Sequence, residues 1–598
     1  MRSIPLKRTY SNFRGVDFEN DPSLVLLSRS PDALNVWKNY KDTQGSCIET
    51  RPGCKEIADF SSNINGIYFY NDKALIHAGT KLYLWSNFPE TPNKTILKSG
   101  MNDARSSFVI FNEKLYIVDG LNYLVYDGNT IKNVSDDNAY IPTTTISRLP
   151  SGGGEPYQDI NVLQPLRRNS FVSDGTSTDY YLDTTDITEV TEIKVNDVII
   201  ENTNYTVNTI LGKISFNTAP SAPVLSGTDN VEITFSKIVA GYTDRISKCT
   251  KMVVFDRRLF FAGNSDFPNA IFHSQLNTPN YVSDLAYYQD GTDEAEIKSL
   301  VVGNNILWVF KEPSQERDTI FYHTATTDSI GRVYPNFQGN LSTGCCSDAI
   351  NYKDDIVFIS KTGLEGISSN DISSQQLLTH KSSLIDNKLV NEENYDLSSL
   401  IEWNGYLLVL VNSHVYLGDI RQMYSGINGY EYEWYYWDFE NLSICILKEY
   451  KGNLYIGTTE GKILILKGTN DNGEIINSYW TTPMDNFGLG NKYKTTNKRG
   501  GVAKIKTLPN GKVKVSEKTN RRIDDRFIKE YSSGGFDYGN MDYSSFAYII
   551  NSMSNIVYKI KEKKFIELQL KFYSDELDKP FGIYSAIIEA FDGAYAKR

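Results

Sequence analysis

Apolar and polar positions along this chain fall into one recurring unit. It is a short apolar run, a tight polar turn and a second apolar run, often followed by a glycine and a third run. The turns are Asn71-Asp72-Lys73, Asn112-Glu113-Lys114, Asp256-Arg257-Arg258, Gly303-Asn304-Asn305, Lys353-Asp354-Asp355, Asn404-Gly405 and Lys451-Gly452-Asn453. Asn, Asp and Gly supply the positive φ angles of tight hairpins at little steric cost. The apolar runs are four to seven residues long and rich in Val, Ile, Leu, Phe and Tyr, which is strand length and too short for helices. The first apolar residues after the turns are Ala74, Leu115, Leu259, Ile306, Ile356, Leu407 and Leu454, at steps of 41, 144, 47, 50, 51 and 47 residues. Apart from the long step, this is the spacing of four-stranded propeller blades. The pattern predicts an all-β protein built on a β-propeller of six to eight blades.

The long step marks an insertion between the second and third blades. The glycine-rich stretch 151–156 reads as a flexible linker. From 157 to 240, alternating segments separated by turns at Asn196-Asp197, Leu211-Gly212 and 227–230 predict a small β-sandwich. Residues 1–60 contain Pro5, Pro22, Pro31 and Pro52 and little periodicity, which predicts an extended N-terminal arm packing on other subunits or on the propeller. The blades then occupy 61–156 and 241–470. Residues 471–598 predict a C-terminal β-rich platform, a second sandwich with a hairpin tipped by Asn510-Gly511.

Composition supports this reading. The chain has 40 Tyr, 28 Phe and 7 Trp against 5 His and 7 Met, a mixture suited to pleated surfaces and to protein interfaces. No apolar run approaches the roughly 20 residues that span a bilayer, so no membrane segment is expected. The basic N-terminus is followed by no apolar stretch and does not read as a secretory signal. Six cysteines include no CxxC pair, and adjacent Cys345 and Cys346 lack zinc-site spacing. Cys47 and Cys54 flank a turn-forming stretch that lets them pair; the other reading is free thiols in a reducing compartment.

Catalytic and cofactor patterns are sparse, and no catalytic, cofactor-binding or metal residue is assigned. His77, His273, His323, His380 and His414 fall singly and read as strand histidines. Glycoside hydrolysis needs two facing carboxyl groups. The candidates are Asp293, Glu294 and Glu296 in a polar loop, and Asp354 with Asp355 in a hairpin turn where Asp is favoured for geometry alone. A basic run over 492–529 contains Lys504, Lys506, Lys512, Lys514, Arg521 and Arg522. Period-2 alternation places Lys504 and Lys506 with Lys512 and Lys514 on one face of a hairpin. That face is the candidate contact for DNA or an acidic partner; the other reading is a solvated face whose lysines block edge pairing. The aromatic run 430–437 reads as blade packing, with a carbohydrate platform as the alternative.

The N-terminal stretch Phe13-Arg14-Gly15-Val16-Asp17, then 28–35 (SRSPDALN), then Glu49-Thr50-Arg51-Pro52-Gly53, resembles the opening of bacteriophage tail nozzle proteins, a group also described as tail tubular, head–tail connector or packaged-DNA stabilisation proteins. Asn169-Ser170-Phe171, Tyr205-Thr206-Val207, Ile214-Ser215-Phe216 and Ala219-Pro220 resemble a sandwich module of phage tail proteins. Trp480-Thr481-Thr482-Pro483, Phe487-Gly488 and Lys492-Tyr493-Lys494 resemble the junction from propeller to C-terminal sandwich in the same group. The resemblance implies a non-enzymatic virion protein of the tail, assembled in the host cytoplasm. It implies a homo-oligomeric ring, a hexamer by preference, below the portal and adaptor. Such a ring retains packaged double-stranded DNA, passes it without sequence-specific binding and anchors tail fibres, with no cofactor. The net charge of −12 fits a lumen that repels the duplex rather than grips it. The rival readings are a receptor- or glycan-binding propeller of the tail tip and a cellular propeller scaffold.

Overall fold

The computed structural model describes residues 5–40, 47–90, 92–136, 139–314, 318–329, 331–339, 343–367, 378–426, 429–497, 500–532 and 553–596, with backbone only at 422–426, 429–431, 440 and 553. The chain is a β-propeller with an inserted β-sandwich and a C-terminal β-sandwich. Among the described residues the propeller part consists of seven four-stranded sheets, here I (64–99), II (107–133), III (251–289), IV (297–338), V (349–380), VI (399–438) and VII (444–466 with Cys54–Asp59). Each of the seven apolar residues that set the repeat lies in the second strand of its sheet, from Ala74 in Lys73–Ala78 to Leu454 in Asn453–Thr458.

The hairpins explain why the repeat is visible. Both turn residues have positive φ in every case: Asn71 and Asp72, Asn112 and Glu113, Asp256 and Arg257, Asn304 and Asn305, Lys353 and Asp354, Asn404 and Gly405, Lys451 and Gly452. This is the two-residue turn whose twist matches that of the flanking strands. The residue just before the turn carries a second signature. It is Tyr70, Phe111, Phe255, Tyr352, Trp403 and Tyr450, with Gly303 the exception. Three of these aromatics donate into the turn of the following sheet. Tyr70 bonds the Glu113 carbonyl at 2.5 Å, Tyr352 the Gly405 carbonyl at 2.8 Å and Trp403 the Gly452 carbonyl at 3.3 Å. Each such aromatic buries its ring between sheets while satisfying a turn carbonyl.

The described chain divides into two compact units, Met1–Phe69 with Trp85–Asn93 and Cys345–Arg598, and Tyr70–Leu84 with Lys94–Gly344. The second unit contains the inserted sandwich. Its larger sheet runs in the order Glu155–Pro156, Thr143–Arg148, Leu166–Phe171, Val231–Ser236, Glu189–Val195, Val198–Ile199; its smaller sheet is Asp179–Tyr181, Lys213–Phe216, Tyr205–Asn208. Phe171, Tyr180, Ile193, Ile214, Ile233 and Phe235 form the core between them. The sandwich therefore begins at Thr143, not at 157. Gly152, Gly153 and Gly154 do not form a linker: all three have positive φ and turn the chain between two strands of the sandwich. A Cβ at Gly154 would lie 2.8 Å from the Ile146 carbonyl oxygen.

The first unit contains the C-terminal sandwich, and here the expected extended arm, packed on other subunits or on the propeller, is corrected. Leu6–Ser11 pairs with Gly582–Tyr595 in register from Leu6↔Ala590 to Ser11↔Ser585. Ala33–Leu34 pairs with Ser478–Thr481. Ile48–Thr50 pairs with both Val36–Lys38 and the last strand. Cys54–Asp59 is the outer strand of sheet VII. Four N-terminal strands thus complete the two sheets of the sandwich, and a fifth completes a propeller sheet. Isolated short strands cannot satisfy their backbone groups alone, so Leu6–Ser11 and Ala33–Leu34 are ordered by partners some 450 to 580 residues away in sequence.

The expected basic hairpin is also corrected. Gly501–Lys506 belongs to the eight-stranded sheet and Lys512–Thr519 to the five-stranded one. The connection through Asn510, at φ 53°, crosses from one sheet to the other. No disulfide joins any of the six cysteines, Cys47 and Cys54 included.

Candidate functional site

The N-terminal motifs and the motif around Trp480 meet in one buried seam of the first unit. Phe13 packs edge-on against Trp480 with ring centroids 5.1 Å apart. Gly15, at φ 80°, lets the backbone pass so close to Trp434 that a Cβ would sit 2.2 Å from the Trp434 carbonyl oxygen, and the Val16 N–H donates to that oxygen at 2.8 Å. Only glycine tolerates both the angle and the approach. Asp17 caps its own turn by accepting from Asn20. Ser30 and Thr481 share a hydroxyl contact at 3.2 Å, and both donate to the Asp32 carbonyl.

Arg51 is the centre of the seam. Its side chain is fully buried, forms a two-pronged pair with Asp471 at 2.8 and 2.5 Å, donates to Asn35 Oδ1 and the Asp438 carbonyl, and lies 3.8 Å over the Phe439 ring. Asn35, at φ 54°, donates in turn to the Asn477 carbonyl. A planar guanidinium suits this geometry, and lysine would not. Gly53 admits the Asn470 carbonyl where a Cβ would stand 2.0 Å away. Below this, Tyr10 donates to Asp485 at 3.0 Å, and burial raises its phenol pKa. Lys494 is buried and donates to the carbonyls of Leu489, Lys492 and Ile566; burial lowers its pKa. The chemistry of the seam is mechanical: it locks the N-terminal strands to sheet VI and to the C-terminal sandwich.

The candidate basic residues are placed apart, and several are already paired. Lys506 meets Glu49, Lys512 meets Glu576 at 2.8 Å and Glu530 at 3.0 Å, and Lys514 meets Asp575 at 2.5 Å and Glu576 at 2.8 Å. These two lysines hold the Glu576 carboxyl down at about 2. Arg522 pairs with Glu562 at 3.1 Å, while Arg521 reaches the carbonyls of Lys563 and Lys564 at 3.4 Å. Lys504 is exposed. Apart from Glu530, the acids come from sequence positions well outside the basic run, which is why the run looks unopposed when read linearly.

Three histidines meet carboxylates that sequence spacing does not reveal. His323 contacts Asp290 at 2.9 Å, His414 contacts Glu392 at 2.8 Å, and His380 bridges Glu365 at 2.8 Å and Asp386 at 2.5 Å. The bonds to Asp386 and Glu365 raise His380 to about 10. Asp293 and Glu294 are exposed, and Glu296 pairs with Lys298. Asp354 is a turn residue at φ 71°. In the aromatic run, Tyr432, Trp434, Tyr435, Tyr436 and Trp437 are all buried, so these rings are core rather than a sugar platform.

No family model matches the chain, and no curated protein matches it. Among solved structures, it aligns with the computationally designed protein Ika8 at 10% identity over 70% of this chain and 99% of that one, with a TM-score of 0.29. BamB from Moraxella catarrhalis aligns at 10% identity over 69% and 97%, with a TM-score of 0.32. Hsv2 from Kluyveromyces lactis aligns at 10% identity over 62% and 98%, with a TM-score of 0.23.

Proposed function

We propose that this chain is a structural protein of a bacteriophage tail, a subunit of a nozzle ring below the portal and adaptor that retains packaged DNA and passes it during ejection. The observation that supports this reading is the seam. Segments that resemble nozzle proteins separately, around Gly15, Arg51 and Trp480, form one buried assembly, with Arg51 and Asp471 paired across 420 residues. A joint structural task is what a family pattern spread over such distances requires. In this reading the propeller is a rigid wedge, the ring is a homo-oligomer with a hexamer preferred, and the sandwiches offer docking surfaces for neighbours and fibres. The net charge of −12 per subunit makes the ring acidic, which favours a sliding duplex over a bound one. The N-terminal segment fastens its own chain; it is not assigned the linking of subunits.

Mass photometry of the purified protein, alone and with isolated portal-containing heads and complete tailless particles, tests the proposal. Ring-sized species, or stoichiometric addition to heads or particles, are expected. A monomer that adds to neither overturns it.

A further inference from the structure

Sheet II carries a surface that the nozzle reading does not use. In this sheet Leu115 pairs with Tyr126 and Tyr116 with Val125; Val125 also pairs with Lys132, and Tyr126 with Ile131. Side chains alternate between faces with period 2, so one face presents Lys114, Asp127 and Thr130 in one row and Tyr116, Val125 and Lys132 in the next. The 277–280 loop of sheet III stands over this face. It is tied there by Asn112 Nδ2, which donates to the Asn277 carbonyl at 3.0 Å, and by the Tyr123 hydroxyl, which donates to the Pro279 carbonyl at 3.0 Å. Between face and loop lies a cleft of about 290 Å³.

The lining is selective. Tyr116, Val125 and Pro279 give an apolar floor, and Asn112, Asn277 and Thr130 line the walls. Lys114 and Lys132 are exposed at the cleft and form no ion pair among the described residues. Asp127 accepts the Thr130 N–H at 2.7 Å, the Asn129 N–H at 2.8 Å and the Thr130 hydroxyl at 3.0 Å, which fixes its carboxylate in the wall. Amides and hydroxyls that both donate and accept suit sugar hydroxyls, an apolar floor suits a pyranose face, and two ammonium groups suit one carboxylate. A phosphate dianion is disfavoured by Asp127 and finds no guanidinium here. We infer that this cleft binds a saccharide carrying a carboxylate, a uronic-acid unit, with Lys114 and Lys132 holding the acid group and Asp127 accepting from a ring hydroxyl. The inference does not depend on the nozzle reading.

The test is saturation-transfer NMR and titration of the full chain with digalacturonate, its neutral methyl ester and inorganic phosphate. Digalacturonate is expected to bind, with the ester weaker by about tenfold or more and each of Lys114→Ala and Lys132→Ala costing about tenfold, as loss of a charge-assisted bond predicts. Both lysines are exposed, so the variants should melt like the parent, and the melt is recorded as the control. Absence of transfer from digalacturonate, equal binding of the ester, unchanged binding by both variants, or displacement of the sugar by an equal concentration of phosphate would each overturn the inference.

Discussion

The two sandwiches are built from similar strands in opposite ways. The inserted one takes every strand from 143–236, and its pairs are mostly close in sequence. The C-terminal one takes strands from 6–11, 33–38 and 48–50 as well as from 478–595, so its sheets close only when both ends of the chain have met. The first can fold as a local unit. The second must bear the loop-closure entropy of most of the chain before its contacts form. A sandwich is therefore not one kind of object in this molecule: one is an appendage, and the other is a clasp.

The largest expected effect comes from cutting the two regions out. A fragment spanning 140–240 should be soluble and unfold cooperatively, because it contains both sheets and their core. A fragment spanning 471–598 should not fold, because four of its thirteen sandwich strands are absent. Circular dichroism and urea titration of both fragments check this, and a cooperative transition in the second would break the comparison. Next in size is Arg51→Ala in the intact chain. Removing one partner of a buried, hydrogen-bonded ion pair costs about 3–5 kcal/mol, which should appear as a lowered urea midpoint for the unit holding the clasp. The signal of the inserted sandwich should not move.

A smaller effect concerns pH. His380 is raised to about 10 by its bonds to Asp386 and Glu365, against about 6.5 for an unperturbed histidine. Its folded pKa lies above the unfolded one, so its stabilisation is complete below about pH 6.5 and is lost as pH rises toward 10. Melting temperature should fall more between pH 7 and 10 in the parent than in His380→Gln; parallel curves would remove the pair from the account. The smallest effect is expected for Lys514→Ala. Its pairs with Asp575 and Glu576 are near the surface, so the variant should lose less than about 1 kcal/mol in the same titration.

The propeller was legible because its information is local. Turns such as Asn71-Asp72 and Asn404-Gly405 announce positive φ, and the apolar runs beside them have strand length. The aromatic before the turn, from Tyr70 to Tyr450, was also present in the sequence as a signal, at the same position in six of the seven repeats. The start of the inserted sandwich was hidden for a different reason. Thr143–Arg148 is polar and only partly buried, and three successive glycines look like a linker until their backbone angles are known. The clasp was not legible from periodicity, since strands of two to six residues carry too few positions to show a period. Motif order nevertheless pointed to the residues of the seam, Gly15, Arg51 and Trp480. The ion pairs of Lys506, Lys512 and Lys514 with Glu49, Asp575 and Glu576 are not legible in the sequence, because these acids lie far away along the chain.

Hydrogen–deuterium exchange of the intact protein tests the clasp most directly, since one experiment reads both sandwiches. The account predicts that amides of 6–11, 36–38 and 48–50 are protected to the same degree as those of 501–506 and 582–595 and are released together with them, while 166–236 opens as a separate unit. Rapid exchange of the N-terminal strands beside a protected C-terminal sheet would contradict it.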